Sequence, residues 1–232
     1  MVINSNNLKY PISDNDMKEE QEKVFWELLS IFHEQGLLPY VMLIGSWSEY
    51  IYQNYCYSNF KSSFITRDVD FFYMNIKRPT GKKIKIFEAL SDNGYNYEEN
   101  RISGVGKFSK GDFLEVEFLI RVLGDGHNAH QKIPSLGIVG IGLREMNILE
   151  KYPLVVQCEE YTITVPEPEV YILQKLLINP TRGEYKKEKD MISIKELLPY
   201  VNTERLQTIY NNFYKKQQRV IDEVCEKNLI EF

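Results

Sequence analysis

The sequence predicts a mixed α/β (α+β) fold, with a mixed β-sheet in the core and a helical domain at the C-terminus. Short β-prone apolar runs alternate with helical segments over residues 1–165, whereas residues 166–232 have mainly helical periodicity. Hydrophobic residues make up 43% of the 232 residues, which is enough to build a core. Because no flexible linker separates the two parts, we expect them to pack as one body with a boundary near residue 165.

The first half of the chain is predicted to alternate between helices and strands. Phe25, Leu28, Leu29 and Phe32 recur at helical spacing, and Gly36 ends that pattern. The elements expected in chain order are a helix from Asp14 or Asp16 to Gly36, a strand over Val41–Ile44, a helix over Trp47–Tyr57, a strand over Val69–Met74, a helix over Lys82–Asn93, and strands over Val105–Ser109 and Leu114–Val122.

The second half begins with a glycine-rich stretch and then becomes helical. Glycines at 124, 126, 137, 140 and 142 predict irregular structure. Beyond it we expect a short helix over Leu143–Leu149, a hairpin over Leu154–Val165, and helices over Val170–Ile178, Tyr185–Leu198 and Glu204–Asn228.

Composition excludes several classes of protein. The net charge of −5 gives no general attraction to nucleic acid, although basic residues cluster at 77–85 and 182–189, where a solvated surface is the alternative interpretation. Three widely spaced cysteines favour a reducing cytoplasm over a disulfide framework or a zinc site. No run approaches the roughly 20 apolar residues that span a bilayer, so neither membrane insertion nor secretion is expected.

Two aspartates and a glycine-serine turn are the most informative motifs. Asp68 and Asp70 flank one apolar residue in a β-prone run, so both side chains point to the same face of a strand and can share metal ions. Upstream, the Gly45-Ser46 turn follows an apolar strand and offers backbone N–H groups and a hydroxyl to a phosphate. The combination predicts a site for a nucleotide and magnesium.

A third carboxylate is expected from a neighbouring strand, because nucleotidyl transfer uses two divalent ions roughly 3.5 to 4 Å apart. Glu115 and Glu117 share one face of a predicted strand. We favour Glu117, which is embedded deeper in apolar sequence, where a carboxylate without a cation is costly. Glu115 remains the alternative, and both glutamates would face solvent if the strand lay at a sheet edge.

These motifs resemble the nucleotidyltransferase (DNA polymerase β-like) superfamily. Gly45-Ser46-Trp47, the Asp68-Val69-Asp70 pair and Glu117 are similar to its glycine-serine motif, paired aspartates and third acid, most of all in uncharacterised bacterial members. The later run through Lys175, Arg182 and Lys189-Asp190 is similar to the helical half of AbiEii-type toxins. The resemblance covers roughly residues 40–198.

The resemblance implies a metal-dependent enzyme that moves an NMP from an NTP to an acceptor hydroxyl and releases pyrophosphate. Asp68, Asp70 and Glu117 would be catalytic and bind Mg²⁺ or Mn²⁺. Gly45, Ser46, Lys175, Arg182 and Lys189 would bind the nucleotide, and Asp190 would orient a basic group or contact the nucleotide. The acceptor stays open between a tRNA end, a protein side chain and a small molecule; a toxin acting on tRNA would have an antitoxin partner. The rivals are an inactive nucleotide-binding or protein-interaction module of the same fold, and a structural calcium site at the aspartates.

One departure from the superfamily pattern concerns spacing. The 21 residues between Ser46 and Asp68 exceed the gap of minimal members, so an inserted helix or loop is expected there. Its tyrosines, Tyr50, Tyr52, Tyr55 and Tyr57, are more typical of a packed helix face than of a base-stacking surface.

Overall fold

The computed structural model describes residues 14–63, 66–74, 83–122 and 130–232. The strands in this part of the chain form two sheets. Most of the first basic cluster, residues 77–82, therefore lies outside the described residues, as do Gly124 and Gly126. The strands are β1 (Val41–Ile44), β2 (Asp68–Tyr73), β3 (Asn96–Glu99), β4 (Gly106–Lys110), β5 (Leu114–Arg121), β6 (His130–Ile133), β7 (Ile138–Leu143), β8 (Pro153–Cys158) and β9 (Tyr161–Pro166).

Helices flank these strands and dominate the chain after β9. Single 3₁₀ turns cover Leu38–Tyr40, Asn179–Thr181 and Leu198–Tyr200, and one turn of π-helix covers Tyr52–Cys56. The α-helices are α1 (Asp14–Glu34), α2 (Ser46–Ile51), α3 (Ile86–Asp92), α4 (Met146–Glu150), α5 (Pro168–Ile178), α6 (Glu184–Leu197), α7 (Thr203–Asn211) and α8 (Lys215–Asn228).

The main sheet is mixed, as predicted. Its order is β1-β2-β5-β4-β3, and β7 pairs with the far end of β5 and with β6. β1 runs antiparallel to β2, whereas β2 runs parallel to β5. The second sheet is the predicted hairpin, β8 and β9, and β9 lies close to β1. The boundary predicted near residue 165 falls where β9 gives way to α5, and it remains a prediction.

The core lies where α1 covers one face of the main sheet. Phe32 is fully buried, and its ring centroid lies 4.7 Å from that of Phe71 on β2 and 5.8 Å from that of Phe118 on β5. Because strand side chains alternate, the acidic residues of β2 and β5 point away from this aromatic layer. Burial of one face thus leaves the acids on the other.

Three sequence expectations are corrected by the structure. The stretch with glycines 137, 140 and 142 is not irregular but contains the β6–β7 hairpin. Leu143 ends β7, so the short helix begins only at Met146. The single helix predicted over Glu204–Asn228 is two helices, α7 and α8, and β3 was not predicted.

Among the described residues, no helix combines the length and the apolar character that crossing a bilayer requires.

Trp47 fastens α2 to the chain segment that enters β2. Its side chain is fully buried, its ring lies 4.1 Å from that of Phe25 in a stacked arrangement, and its Nε1 donates a 2.9 Å hydrogen bond to the carbonyl oxygen of Thr66. The tryptophan therefore links α1, α2 and the segment before β2, which carries the aspartate pair.

We expect Trp47→Phe to lower the free energy of unfolding by about 1–3 kcal/mol, because it shrinks a buried ring and removes the hydrogen bond to Thr66. Chemical denaturation measures the change. Trp26→Phe is the matched control, since Trp26 is half-buried and its Nε1 makes only a 3.3 Å hydrogen bond to Tyr50. Equal losses in the two variants would contradict the role given to Trp47.

Candidate active site

The parallel pairing of β2 with β5 brings the predicted carboxylates together on one face. Asp70 stands opposite Glu117 in the strand register, and Asp68 stands opposite Glu115. Residues opposite each other in a parallel pair share a face of the sheet, so four acidic side chains lie in a block of two by two. The proximity expected from the sequence is therefore present.

Glu115 and Glu117 differ in their partners. Glu115 is paired with Arg67 at 2.9 Å and with Lys107 at 2.7 Å, and its hydrogen bond from Lys107 lowers its pKa. Glu117 has no ion-pair partner among the described residues, and burial, followed by the repulsion of Asp68, raises its pKa. The charge of Glu115 is already compensated, so Glu117 is the better candidate for a cation ligand.

Asp70 is the most strongly perturbed member of the acidic face. Burial raises its pKa to about 7, with further contributions from the negative charges of Glu117 and Asp68; Lys186 and Arg182 oppose the shift. Burial and the neighbouring negative charges both disfavour the ionised carboxylate, and a bound cation would offset both effects.

The glycine-serine turn lies against this aspartate. Ile44, the last residue of β1, stands opposite Asp70 in the antiparallel register, so the turn begins where the acid projects. Gly45 has a φ of +72°, and a Cβ on it would lie 3.0 Å from Asp70 Oδ2. Both the backbone conformation and the close approach explain why glycine occupies this position.

The long segment between Ser46 and Asp68 returns to the turn. The hydroxyls of Ser46 and Thr66 share a 2.8 Å hydrogen bond, which closes the inserted segment two residues before β2. Inside the segment, Tyr50 and Tyr52 are buried, in agreement with a packed helix face. The insertion thus leaves the turn and the aspartates adjacent.

Basic side chains from α5 and α6 form the opposite wall. Lys175 Nζ lies 2.8 Å from Asp190 Oδ1, and Arg182 Nε lies 2.9 Å from Asp190 Oδ2. Asp190 is nearly fully buried, and as a buried carboxylate it is compensated by these two cations. It therefore holds Lys175 and Arg182 in place, as expected for an acid that orients a basic group.

Glu49 on α2 is a buried carboxylate that sequence analysis missed. It is 1% exposed, accepts hydrogen bonds from Tyr171 at 2.5 Å, from Ser62 at 2.6 Å and from Ser193, and lies 4.0 Å from Lys175 Nζ. Tyr171 also donates to the Gly45 carbonyl at 3.2 Å. These bonds connect the turn to α5 and α6. No sequence signal distinguishes Glu49 from a surface acid, because its partners are distant in sequence.

A cavity separates the acidic strand end from the basic helices. Of the predicted site residues, only Glu117 is not in its lining; it lies half-buried behind Asp70. Tyr185, also missed by sequence analysis, lies at the cavity with most of its side chain exposed. The lining residues are Gly45, Ser46, Glu49, Thr66, Asp68, Asp70, Lys175, Arg182, Tyr185, Lys186, Lys189, Asp190 and Ser193.

The donor atoms fit a hard divalent cation in part. Asp68 and Asp70 present carboxylate oxygens to the cavity, and Mg²⁺ is commonly bound by one or two carboxylates together with substrate phosphates. Within the described part of the chain, no three acidic, histidine or cysteine side chains lie close enough to hold a metal by themselves. Phosphate oxygens and water would complete the ligand set of a cation held here.

In metal-free buffer we expect Asp70→Asn to be more stable than the wild type at neutral pH. The raised pKa means that the folded wild type holds the Asp70 proton more tightly than the unfolded chain does. Its stability relative to the variant should then fall as the pH rises from about 4 to about 7, by at most about 4 kcal/mol. Denaturation with EDTA across that range measures the difference. Asp92→Asn, at an exposed position, is the control; a difference that does not change with pH would contradict the environment assigned to Asp70.

A comparison with curated proteins finds no significant match. Among solved structures, the chain is similar to the antibiotic-resistance factor ANT(2'')-Ia, with a TM-score of 0.51 and 11% identity over 90% of this chain and 98% of that one. It is also similar to the lincosamide antibiotic adenylyltransferase LnuA (TM-score 0.45, 17% identity, 78% and 98% covered) and to an antigenic nucleotidyltransferase-like protein of Paracoccidioides brasiliensis (0.42, 13%, 96% and 97%).

The first of these similarities supports the fold. The family model described as nucleotidyltransferase matches residues 25–218, which is most of the chain and includes both walls of the cavity. The predicted membership is thereby confirmed: the chain belongs to the nucleotidyltransferase family.

Proposed function

We propose that this nucleotidyltransferase moves an NMP from an NTP to an acceptor hydroxyl, using Mg²⁺ or Mn²⁺ that Asp68, Asp70 and Glu117 bind together with the phosphate oxygens of the NTP. The carrying observation is a cavity with Asp68 and Asp70 on one wall and basic side chains of α5 and α6 on the opposite wall. A triphosphate with its metal ions needs both surfaces, because cations bind its oxygens from two sides.

The acidic wall supports the metal-binding role. Asp68 and Asp70 line the cavity directly, and Glu117 reaches the same face from the adjacent strand. When bound, the metal ions would activate the acceptor oxygen and neutralise charge on the phosphates. The carboxylate nearest the acceptor would accept the proton of its hydroxyl as the oxygen bonds to the α-phosphorus and pyrophosphate leaves.

The turn and the basic wall support the nucleotide-binding role. We assign the β- and γ-phosphates to Gly45 and Ser46, whose backbone and hydroxyl border the cavity beside Asp70. Lys189 and Lys186 would bind phosphate from the opposite side. Lys175 and Arg182 belong to the same wall, but Asp190 holds both, so we assign them to shaping the positive surface as well as to phosphate contact.

For the acceptor we propose only that the reacting group is a hydroxyl. A tRNA end, a protein side chain and a small hydroxylated molecule all carry such a group. A screen with α-labelled NTPs against these three classes identifies the acceptor. The toxin role would be assigned by two results together: labelling of tRNA, and growth arrest on expression that a partner protein relieves.

We expect Asp70→Asn and Glu117→Gln each to abolish Mg²⁺-dependent transfer of labelled nucleotide, by at least about 100-fold, because each removes a charge that would hold the metal. Glu115→Gln is the matched variant on the same strand and face. Since Glu115 is compensated by Arg67 and Lys107, its loss should lower transfer by less than about tenfold.

Two results would overturn this assignment. Equal loss in the Glu115 and Glu117 variants would show that Glu117 has no special role. Nucleotide binding without any turnover in the wild type, with all three acceptor classes present, would instead favour the inactive nucleotide-binding module.

A further inference from the structure

Tyr185 is an exposed aromatic residue at the mouth of the cavity. It is the second residue of α6, its side chain is 72% exposed, and it lines the cavity beside Lys186 and Lys189. Aromatic side chains contribute strongly to binding when a ligand covers them, because they bury a large area with little loss of conformational entropy. An aromatic ring left open at a polar site therefore points to a ligand.

The ring of Tyr185 is partly arranged by the protein itself. Lys189 Nζ lies 5.6 Å from the ring centroid, within the range of a cation–π contact. Among the described residues, no other aromatic ring stacks on Tyr185. By contrast, Tyr50 and Tyr52 in the segment after the glycine-serine turn are buried and cannot reach a ligand.

We propose that Tyr185 stacks on the nucleobase of the bound NTP, an inference that rests on the nucleotide site assigned above. Lys186 and Lys189 lie within about one helical turn of Tyr185, so a nucleotide whose phosphates reach these lysines carries its base to this ring. The acceptor, in contrast, has to approach the carboxylates on the other wall.

Stacking on one tyrosine has a consequence for substrate choice. Every base has a π-face, so stacking accepts all four, but a purine covers more of the ring than a pyrimidine does. We infer that ATP and GTP bind more tightly than CTP and UTP, and that Tyr185 is the residue responsible.

The test is the binding of a non-hydrolysable ATP analogue and of inorganic tripolyphosphate, in Mg²⁺, to the wild type, Tyr185→Phe and Tyr185→Ala. Tyr185→Ala should weaken binding of the analogue about tenfold and leave tripolyphosphate unchanged, because tripolyphosphate has no base to stack. Tyr185→Phe, which keeps the ring, should match the wild type. In turnover, Tyr185→Ala should raise KM for ATP with little change in kcat.

Each other outcome decides against a stated part of the proposal. If Tyr185→Ala binds the analogue as the wild type does, the stacking role is wrong and the nucleotide site stands. If both probes weaken together, Tyr185 acts by holding Lys189 and not by stacking. If the wild type binds neither probe, the proposed nucleotide site itself fails. Tyr214→Ala, at a tyrosine that is 76% exposed outside the cavity, controls for the general loss of a surface ring and should bind both probes normally.

Discussion

The close approach of Gly45 to Asp70 is the constraint on which the site depends. The antiparallel register of β1 and β2 brings the end of one strand to the acid on the other, and only a residue without a side chain fits there with a positive φ. The segment between Ser46 and Asp68 must therefore connect β1 to β2 without displacing either strand. Trp47 and Ser46 are both hydrogen-bonded to Thr66 and so close the insertion beside the turn.

Buried charge in this protein is of two kinds, and their difference separates scaffold from site. Glu49 and Asp190 are nearly inaccessible, yet Glu49 accepts hydrogen bonds from hydroxyl groups, and Lys175 and Arg182 compensate the charge of Asp190. Asp70 and Glu117 are only half-buried, and burial and mutual repulsion raise their pKa values. The compensated carboxylates cost the folded state little, whereas ionising the uncompensated ones is unfavourable without a bound cation.

Local patterns were sufficient to predict the strands that carry the acids, because burial alternates along the acidic first half of β2 and of β5, while the next three residues of each strand are buried on both faces and are all aliphatic or aromatic. Local patterns were insufficient where a partner distant in sequence determines the environment of a side chain. Glu115 and Glu117 share one strand face, and the sequence favours Glu117 only by its apolar neighbours; the ion pairs of Glu115 with Lys107 and Arg67 distinguish the two side chains directly. In the sequence Gly140 indicates irregular structure, but it lies in β7, where a Cβ would come within 2.9 Å of Ile120, so the glycine allows close packing.

The same reasoning explains how the basic wall is organised. Asp190 and Glu49 offset positive charge at the inner end of this wall, where Lys175 is only slightly exposed. Lys186 and Lys189 lie further out on α6, beside Tyr185, and burial together with the charge of Lys175 lowers the pKa of Lys189. An incoming anion would relieve the burial cost and the repulsion that lower the pKa of Lys189. Under the proposed function, phosphate would therefore bind the outer part of the wall, at Lys186 and Lys189, whereas the hydrogen bonds and ion pairs of Glu49 and Asp190 at the inner part connect the turn with α5 and α6.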